Sequence, residues 1–230
     1  MSTIPDITRG KQHLDIFKAV GTVPISYGDI ERLKPSGWLN DSIIQAFIEL
    51  LREFTQNHGT PKSFHLFSVY FLPYVKCGEG HKYMRRHNID FTTLDNLFIP
   101  VNCKNLHWVT VLIRKSFKRI EIYDSKHDSK QGLPSVTAVD DLANTELYRD
   151  IKVLIDYLIA QFNVHASEWT CLFMDCPQQT NDDDCGVHLC INTLCGALDF
   201  EADFDAKKVS TFRRYMVECL SQDVLIPGRV

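Results

Sequence analysis

Between His107 and Asp124 the sequence carries two runs, HWVTVLIR and FKRIEIYD, rich in β-branched and aromatic residues and separated by no more than a turn. Such runs read as neighbouring antiparallel strands, and LFIPVN from Leu97 supplies a third. Helical spacing brackets them. Asn40 and Asp41 supply an N-cap and an N-terminal acid to a stripe of Ile43, Phe47, Leu50, Leu51 and Phe54. A second stripe of Ile151, Leu154, Ile155, Leu158, Ile159 and Phe162 predicts a helix from Thr145 to Phe162. EWTCLFMDC (Glu168 to Cys176) reads as a further strand, VHLCINTLCGAL as a short apolar helix, and Lys207 to Ser221 as a last helix. Phe64 to Tyr74 is aromatic and fits neither period, and the basic KYMRRH fits a short helix. A helix, then a sheet, then helices argues an α+β fold over a doubly wound parallel one.

A chain of 230 residues with 44% hydrophobic residues can bury a sizeable core. There is no repeat, low-complexity tract or Pro/Gly/Ser-rich linker, so the expected organisation is a lead-in over 1–25 and one domain over 26–230. A net charge of -4 and a pI near 6.1 leave no global footprint for nucleic acid or an acidic membrane. The basic cluster of His81, Lys82, Arg85, Arg86 and His87 is local and reads as a solvated helix face. Without a signal-peptide run or a membrane-length apolar stretch, the expected compartment is intracellular. Eight cysteines are then expected to stay reduced. No CxxC pair exists, and the five-residue spacing of Cys185, Cys190 and Cys195 turns the thiols apart on a helix, so no metal site is expected.

If the two central strands turn around Lys115 and Ser116, facing positions have numbers adding to 231, and His107 then lies directly opposite Asp124. A four-residue loop with the same centre is equally possible, and the pairing survives either choice. A carboxylate beside an imidazole at the end of an apolar face fixes the tautomer and favours the imidazolium, as a general base requires. The plain alternative is a strand-end histidine near a surface aspartate. Cys185 is different from the other cysteines: it follows a polar loop and precedes a helix, so its thiol would sit near the helix N-terminus, where the macrodipole favours a thiolate. Cys190 and Cys195 read as small core hydrophobes. Asp182 to Asp184 work against a thiolate, so an imidazolium at His107 must offset them. Gln179 can offer an amide N–H which, with the Cys185 backbone N–H, makes a two-donor oxyanion hole; otherwise it is a solvated loop residue.

With these residues assembled, the sequence resembles the ubiquitin-like-protein-specific (SUMO/sentrin-specific) cysteine proteases from Gly37 to the C-terminal helix. Four motifs carry the resemblance: WLND (Trp38 to Asp41), HW (His107-Trp108), YDS (Tyr123 to Ser125) and PQQTNDDDCG (Pro177 to Gly186). The spacings of 17 residues from His107 to Asp124 and six from Gln179 to Cys185 also match. The resemblance implies a papain-like variant with a central mixed or antiparallel sheet flanked by helices. It implies Cys185 as nucleophile, His107 as base and then acid, Asp124 as orienter and Gln179 in the oxyanion hole, with no cofactor. It further implies Trp38 and Trp108 around a narrow channel for a Gly-Gly tail, where only glycine is slim enough; each could instead be a core aromatic. Asp41 matches a position that pairs with a basic residue of the ubiquitin-like body, though helix capping explains it as well. Where the family shows a glycine and then an aromatic or small residue, this chain has Asp182 and Asp183.

The implied partner is a ubiquitin-like modifier, SUMO ahead of NEDD8 or ubiquitin, met by a monomer that uses neither nucleic acid nor membrane. The implied compartment is nucleus or cytoplasm, or a host cell if the chain is a secreted pathogen effector. Two other classes remain open: an acetyltransferase with the same order of His, acid and Cys, and an inactive module that binds a ubiquitin-like protein.

Overall fold

The computed structural model describes residues 10–58, 64–127, 136–200 and 204–226. The elements in chain order are β1 (Ile16–Val20), β2 (Val23–Ser26), α1 (Tyr27–Glu31), α2 (Asp41–Asn57), β3 (Phe64–Leu66), α3 (Phe71–Lys76), α4 (Gly80–Arg86), β4 (Asn96–Cys103), β5 (His107–Arg114), β6 (Arg119–Tyr123), β7 (Val136–Thr137), α5 (Arg149–Phe162), β8 (Thr170–Phe173), α6 (Cys185–Leu198) and α7 (Ala206–Gln222). They fall into two compact units, one from the segments 1–59 and 179–230, the other from 60–178.

The first unit holds β1, β2, α1, α2, α6 and α7. Strands β1 and β2, which lie in the expected lead-in up to Ile25, form an antiparallel hairpin closed by Val20 opposite Val23. Ser26 and Asp29 make a reciprocal capping box that starts α1, satisfying two backbone donors that a helix end leaves open. Asn40 caps α2 through Ile43 N–H, and its amide also donates to Asp29 at 2.6 Å, tying the two helix starts together. The expected stripe of α2 is buried at Ile43, Phe47, Leu50 and Leu51, each worth about 1.5–3 kcal/mol when removed from water. Helix α2 packs on α6 and α7, where Phe47 meets the edges of Phe212 and Tyr215.

The second unit is built on a six-stranded sheet in the order β3-β4-β5-β6-β8-β7. The run β4-β5-β6 is antiparallel as expected, but β3–β4 and β6–β8 pair in parallel, so the sheet is mixed. Parallel neighbours need a crossover, and α3 with α4 and then α5 provide them. One face of the sheet, including Ile99, Val111, Ile113, Ile120 and Ile122, forms a core with Phe71, Tyr83 and the apolar stripe of α5. Among the described residues, no helix is long and apolar enough to cross a membrane.

Local boundaries differ from expectation for identifiable reasons. The ambiguous Phe64 to Tyr74 stretch splits into β3 and the start of α3, and KYMRRH lies in the short helix α4 and its C-terminal cap. Helix α5 begins at Arg149, because 139–144 and 146–148 are 3₁₀ turns. EWTCLFMDC pairs only over Thr170–Phe173.

The hairpin register also differs. Asp95 accepts from Ser116 N–H, and its carbonyl accepts from Lys115 N–H, holding 115–117 in a 3₁₀ turn; Lys118 then adopts a left-handed conformation. This four-residue loop ends with Arg114 opposite Arg119 and Thr110 opposite Tyr123. His107 and Asp124 are therefore not directly opposed. Extending the ladder by one residue puts Asp124 beside Val109, two positions along from His107. An even displacement leaves both on the same face, because side chains alternate with a period of two.

Candidate active site

The second unit brings His107 and Asp124 into contact. Asp124 stands just beyond β6, is 1% exposed, and takes His107 Nε2 on Oδ1 at 2.6 Å. The same oxygen accepts Lys126 N–H at 2.8 Å, and Oδ2 accepts the Tyr148 hydroxyl at 2.7 Å. Its main-chain carbonyl accepts the Gln178 amide at 3.0 Å. Burial by itself pushes the Asp124 carboxyl upward. The hydrogen bond and charge of His107, the Lys126 amide and the Tyr148 hydroxyl outweigh it and hold the carboxyl below the usual range. Burial and the adjacent Asp124 charge push the Tyr148 phenol far up, so it remains a protonated donor.

The start of α5 holds this arrangement from two sides. Tyr148 precedes the helix and reaches Asp124. Asp150, in its first turn, accepts Lys104 N–H at 3.0 Å from the turn that delivers His107, and pairs with Lys76 at 2.7 Å. That turn places Lys104 and Asn105 in left-handed conformations before Cys103 pairs with His107. Sequence reading found His107 and Asp124 but missed Tyr148, Asp150 and Gln178. Tyr148 sits off the apolar stripe that identified α5 and carries no motif. Gln178 lies inside the cysteine motif, where only its neighbour Gln179 was assigned.

The first unit carries Cys185, Gln179, Trp38 and Asp41. Cys185 is the first residue of α6 and 4% exposed, at the end where the helix leaves N–H groups without intrahelical acceptors. Asp184 is the N-cap position, but its side chain does not cap. It accepts Arg213 Nε at 2.9 Å and Nη2 at 2.6 Å through Oδ1, and the Asn181 amide at 2.7 Å through Oδ2. The charge next to the cysteine is thus countered by Arg213, from within the same unit. Asp182 is exposed and Asp183 half-buried. Gln179 is half-buried, and its amide donates to Asn181 C=O at 2.7 Å.

Trp38 is 46% exposed, which excludes the core-aromatic reading. Trp108, in the second unit, is 7% exposed on the sheet face opposite His107. Asp41 is exposed in the first turn of α2, with Asn40 as the cap. All eight cysteines are thiols. Burial pushes Cys171 up to about 12, and burial with the Asp124 and Asp175 charges does the same for Cys176; Cys190 and Cys195 are pushed upward by burial. These four stay protonated near neutral pH.

Comparison with known proteins gives a consistent result. Ubiquitin-like-specific protease 1 of Saccharomyces cerevisiae is 28% identical over 203 residues, covering 88% of this chain and 30% of that protein. Human sentrin-specific protease 2 is 28% identical over 219 residues, covering 92% and 34%. The chain thus spans about a third of the length of these relatives. Among solved structures, the C-terminal Ulp1 protease domain in complex with Smt3, the yeast ortholog of SUMO, superposes with a TM-score of 0.75 at 26% identity, covering 94% of this chain and 91% of that one. The SUMO protease Ulp1 with its catalytic cysteine oxidized to a sulfinic acid gives 0.72 at 27% identity, covering 90% and 88%. Residues 37–223 match the family described as the Ulp1 protease family, C-terminal catalytic domain, and the chain belongs to that family.

Proposed function

We propose that this chain is a cysteine protease that cleaves after the C-terminal Gly-Gly of a ubiquitin-like modifier of the SUMO type, releasing it from lysine side chains or from its precursor. The observation that carries the reading is the buried His107–Asp124 pair, 2.6 Å long and braced by Tyr148, in a chain whose DCG motif opens a helix on Cys185. The catalytic domain is taken as 26–230 with 1–25 as a lead-in. The relatives named SUMO or sentrin proteases support SUMO ahead of NEDD8 or ubiquitin. By the same resemblance we place the activity in the nucleus or cytoplasm.

In this reading the Cys185 thiolate attacks the carbonyl carbon of the terminal glycine. The oxyanion that forms takes hydrogen bonds from the Cys185 N–H and the Gln179 amide, which must turn from Asn181 C=O to reach it. His107 directs Nε2 at Asp124, so Nδ1 is the nitrogen that exchanges the proton with the thiol. Protonated His107 gives that proton to the leaving amine as the C–N bond breaks, leaving a thioester on Cys185. Water, deprotonated by His107, attacks the thioester and frees the modifier's carboxylate and the thiol. Trp38, half exposed, suits the rim of a channel for the Gly-Gly tail, with Trp108 lining it. Asp41, exposed on α2, suits a basic residue of the modifier's body.

A panel of SUMO, NEDD8 and ubiquitin bearing a C-terminal fluorogenic reporter tests the reading. Turnover of SUMO well above the other two is the expected result; cleavage of NEDD8 or ubiquitin but not SUMO overturns the choice of modifier. Acetyl transfer from coenzyme A without peptidase activity overturns the reaction. Gln179→Ala is expected to lower kcat by about 10²-fold with little change in KM, because its amide acts on an oxyanion absent from the ground state. Unchanged kcat removes Gln179 from the site.

A further inference from the structure

Arg213 lies on α7, far in sequence from both the cysteine loop and the tryptophan loop of its unit, and is 3% exposed. Every nitrogen of its guanidinium is engaged. Nε and Nη2 hold Asp184 Oδ1, and Nη2 also donates to Asp183 C=O at 3.1 Å. On the other side, Nη2 donates to Gly37 C=O at 2.9 Å, and Nη1 to Arg32 C=O at 3.0 Å and Lys34 C=O at 3.4 Å. One planar fork thus joins the two residues before Cys185 to the turn that ends at Trp38.

Two glycines let these segments close. A Cβ on Gly37 would stand 2.2 Å from Arg32 C=O, one of the carbonyls the guanidinium holds. A Cβ on Gly186 would stand 2.8 Å from Leu39 Cβ, so the residue after the cysteine touches the residue after the tryptophan. A stabilising ion pair alone needs only Asp184. Three main-chain carbonyls from the tryptophan loop, held by the same group, are not explained by charge pairing.

We propose that Arg213 is a positioning residue that clamps the Trp38 segment to the Cys185 segment, so that the rim of the tail channel and the nucleophile move as one body. The proposal rests on the protease reading for its consequence in turnover, while the clamp itself is a property of the fold. Lysine cannot replace it, since an ammonium has three donors on one atom and cannot span acceptors on both sides of a planar fork.

The test is a double-mutant cycle with Arg213→Lys and Trp38→Ala, read as kcat/KM on a SUMO-tail reporter. Arg213→Lys is expected to lose about 10- to 100-fold, as small misplacements in a site do. The double variant is expected to be within about threefold of Trp38→Ala alone, because a clamp acting through Trp38 has nothing left to hold. Losses that multiply, or Arg213→Lys within twofold of the parent, overturn the proposal. Should the lysine variant not fold, hydrogen exchange on the unmutated protein decides: amides of 37–39 and 183–186 are expected to open with the same protection within about threefold. Protection factors more than about tenfold apart overturn the clamp. Exchange needs no substrate, so coupled exchange without SUMO turnover refutes the protease reading and leaves the clamp standing.

Discussion

Cys185→Ala is expected to abolish turnover of a SUMO-tail reporter, a loss on the order of 10⁶-fold if the thiol forms the covalent intermediate. Affinity for the intact modifier should stay within about twofold, measured by calorimetry, since the side chain is small and opens a helix whose packing rests on residues beyond it. Val187, Leu189, Cys190 and Ile191 carry that packing, and Gly186 supplies the close approach to Leu39. None of them changes. A modifier bearing a C-terminal electrophile should label the parent protein once and the variant not at all. Retained turnover, or labelling at another cysteine, refutes the nucleophile. The pushed-up thiols of Cys171, Cys176, Cys190 and Cys195 make any of those four a poor substitute.

Asp124→Asn is the second large effect, expected to lower kcat by about 10³- to 10⁴-fold with the modifier still bound. Three donors converge on the carboxylate, from His107, Lys126 and Tyr148. An asparagine has one acceptor oxygen for them. If it keeps that oxygen toward His107 and Lys126, its amide meets Tyr148, whose hydroxyl can rotate to accept; the geometry survives but the charge that supports an imidazolium is gone. Loss of less than about tenfold rules out Asp124 as orienter.

The same substitution changes acid stability in a definite direction. The Asp124 carboxyl is held below its usual range in the folded protein, so the unfolded chain binds a proton there at higher pH than the native state does. Its contribution to stability is complete above the ordinary carboxylate pKa of about 4, and is lost as pH falls through the lower folded value. Urea midpoints measured from pH 7 to pH 3 should fall less steeply for Asp124→Asn than for the parent. An equal or steeper fall contradicts the sign.

Much of the site was legible in sequence because its signals are local. The polar run ending in Cys185 and the apolar run after it mark a helix start, whatever packs around them. Alternation along His107 to Arg114 and Arg119 to Tyr123 put His107 and Asp124 on one face, and an error of two residues in register could not undo that, since the strand period is two. The register itself depends on Asp95, a residue outside the hairpin, which pins the loop at Lys115 and Ser116. Parallel pairing of β3 with β4 and of β6 with β8 was equally hidden, because pairing across a crossover leaves no mark in either strand's own pattern.

The sequence by itself determined α2, the neighbouring strands β4 to β6, α5, β8 and α7, the shared face of His107 and Asp124, and a helix start close to Cys185, all of which follow from spacing along the chain. Only the tertiary structure decided what holds those groups. Tyr148 supports Asp124 from 24 residues away, Asp150 steadies the His107 turn from 46 residues beyond Lys104, and Arg213 answers the charge of Asp184 from 29. The reason is physical: a hydrogen bond between side chains brought together by packing costs the sequence one residue at each end and imposes no periodicity between them, so it becomes visible only when the chain is folded.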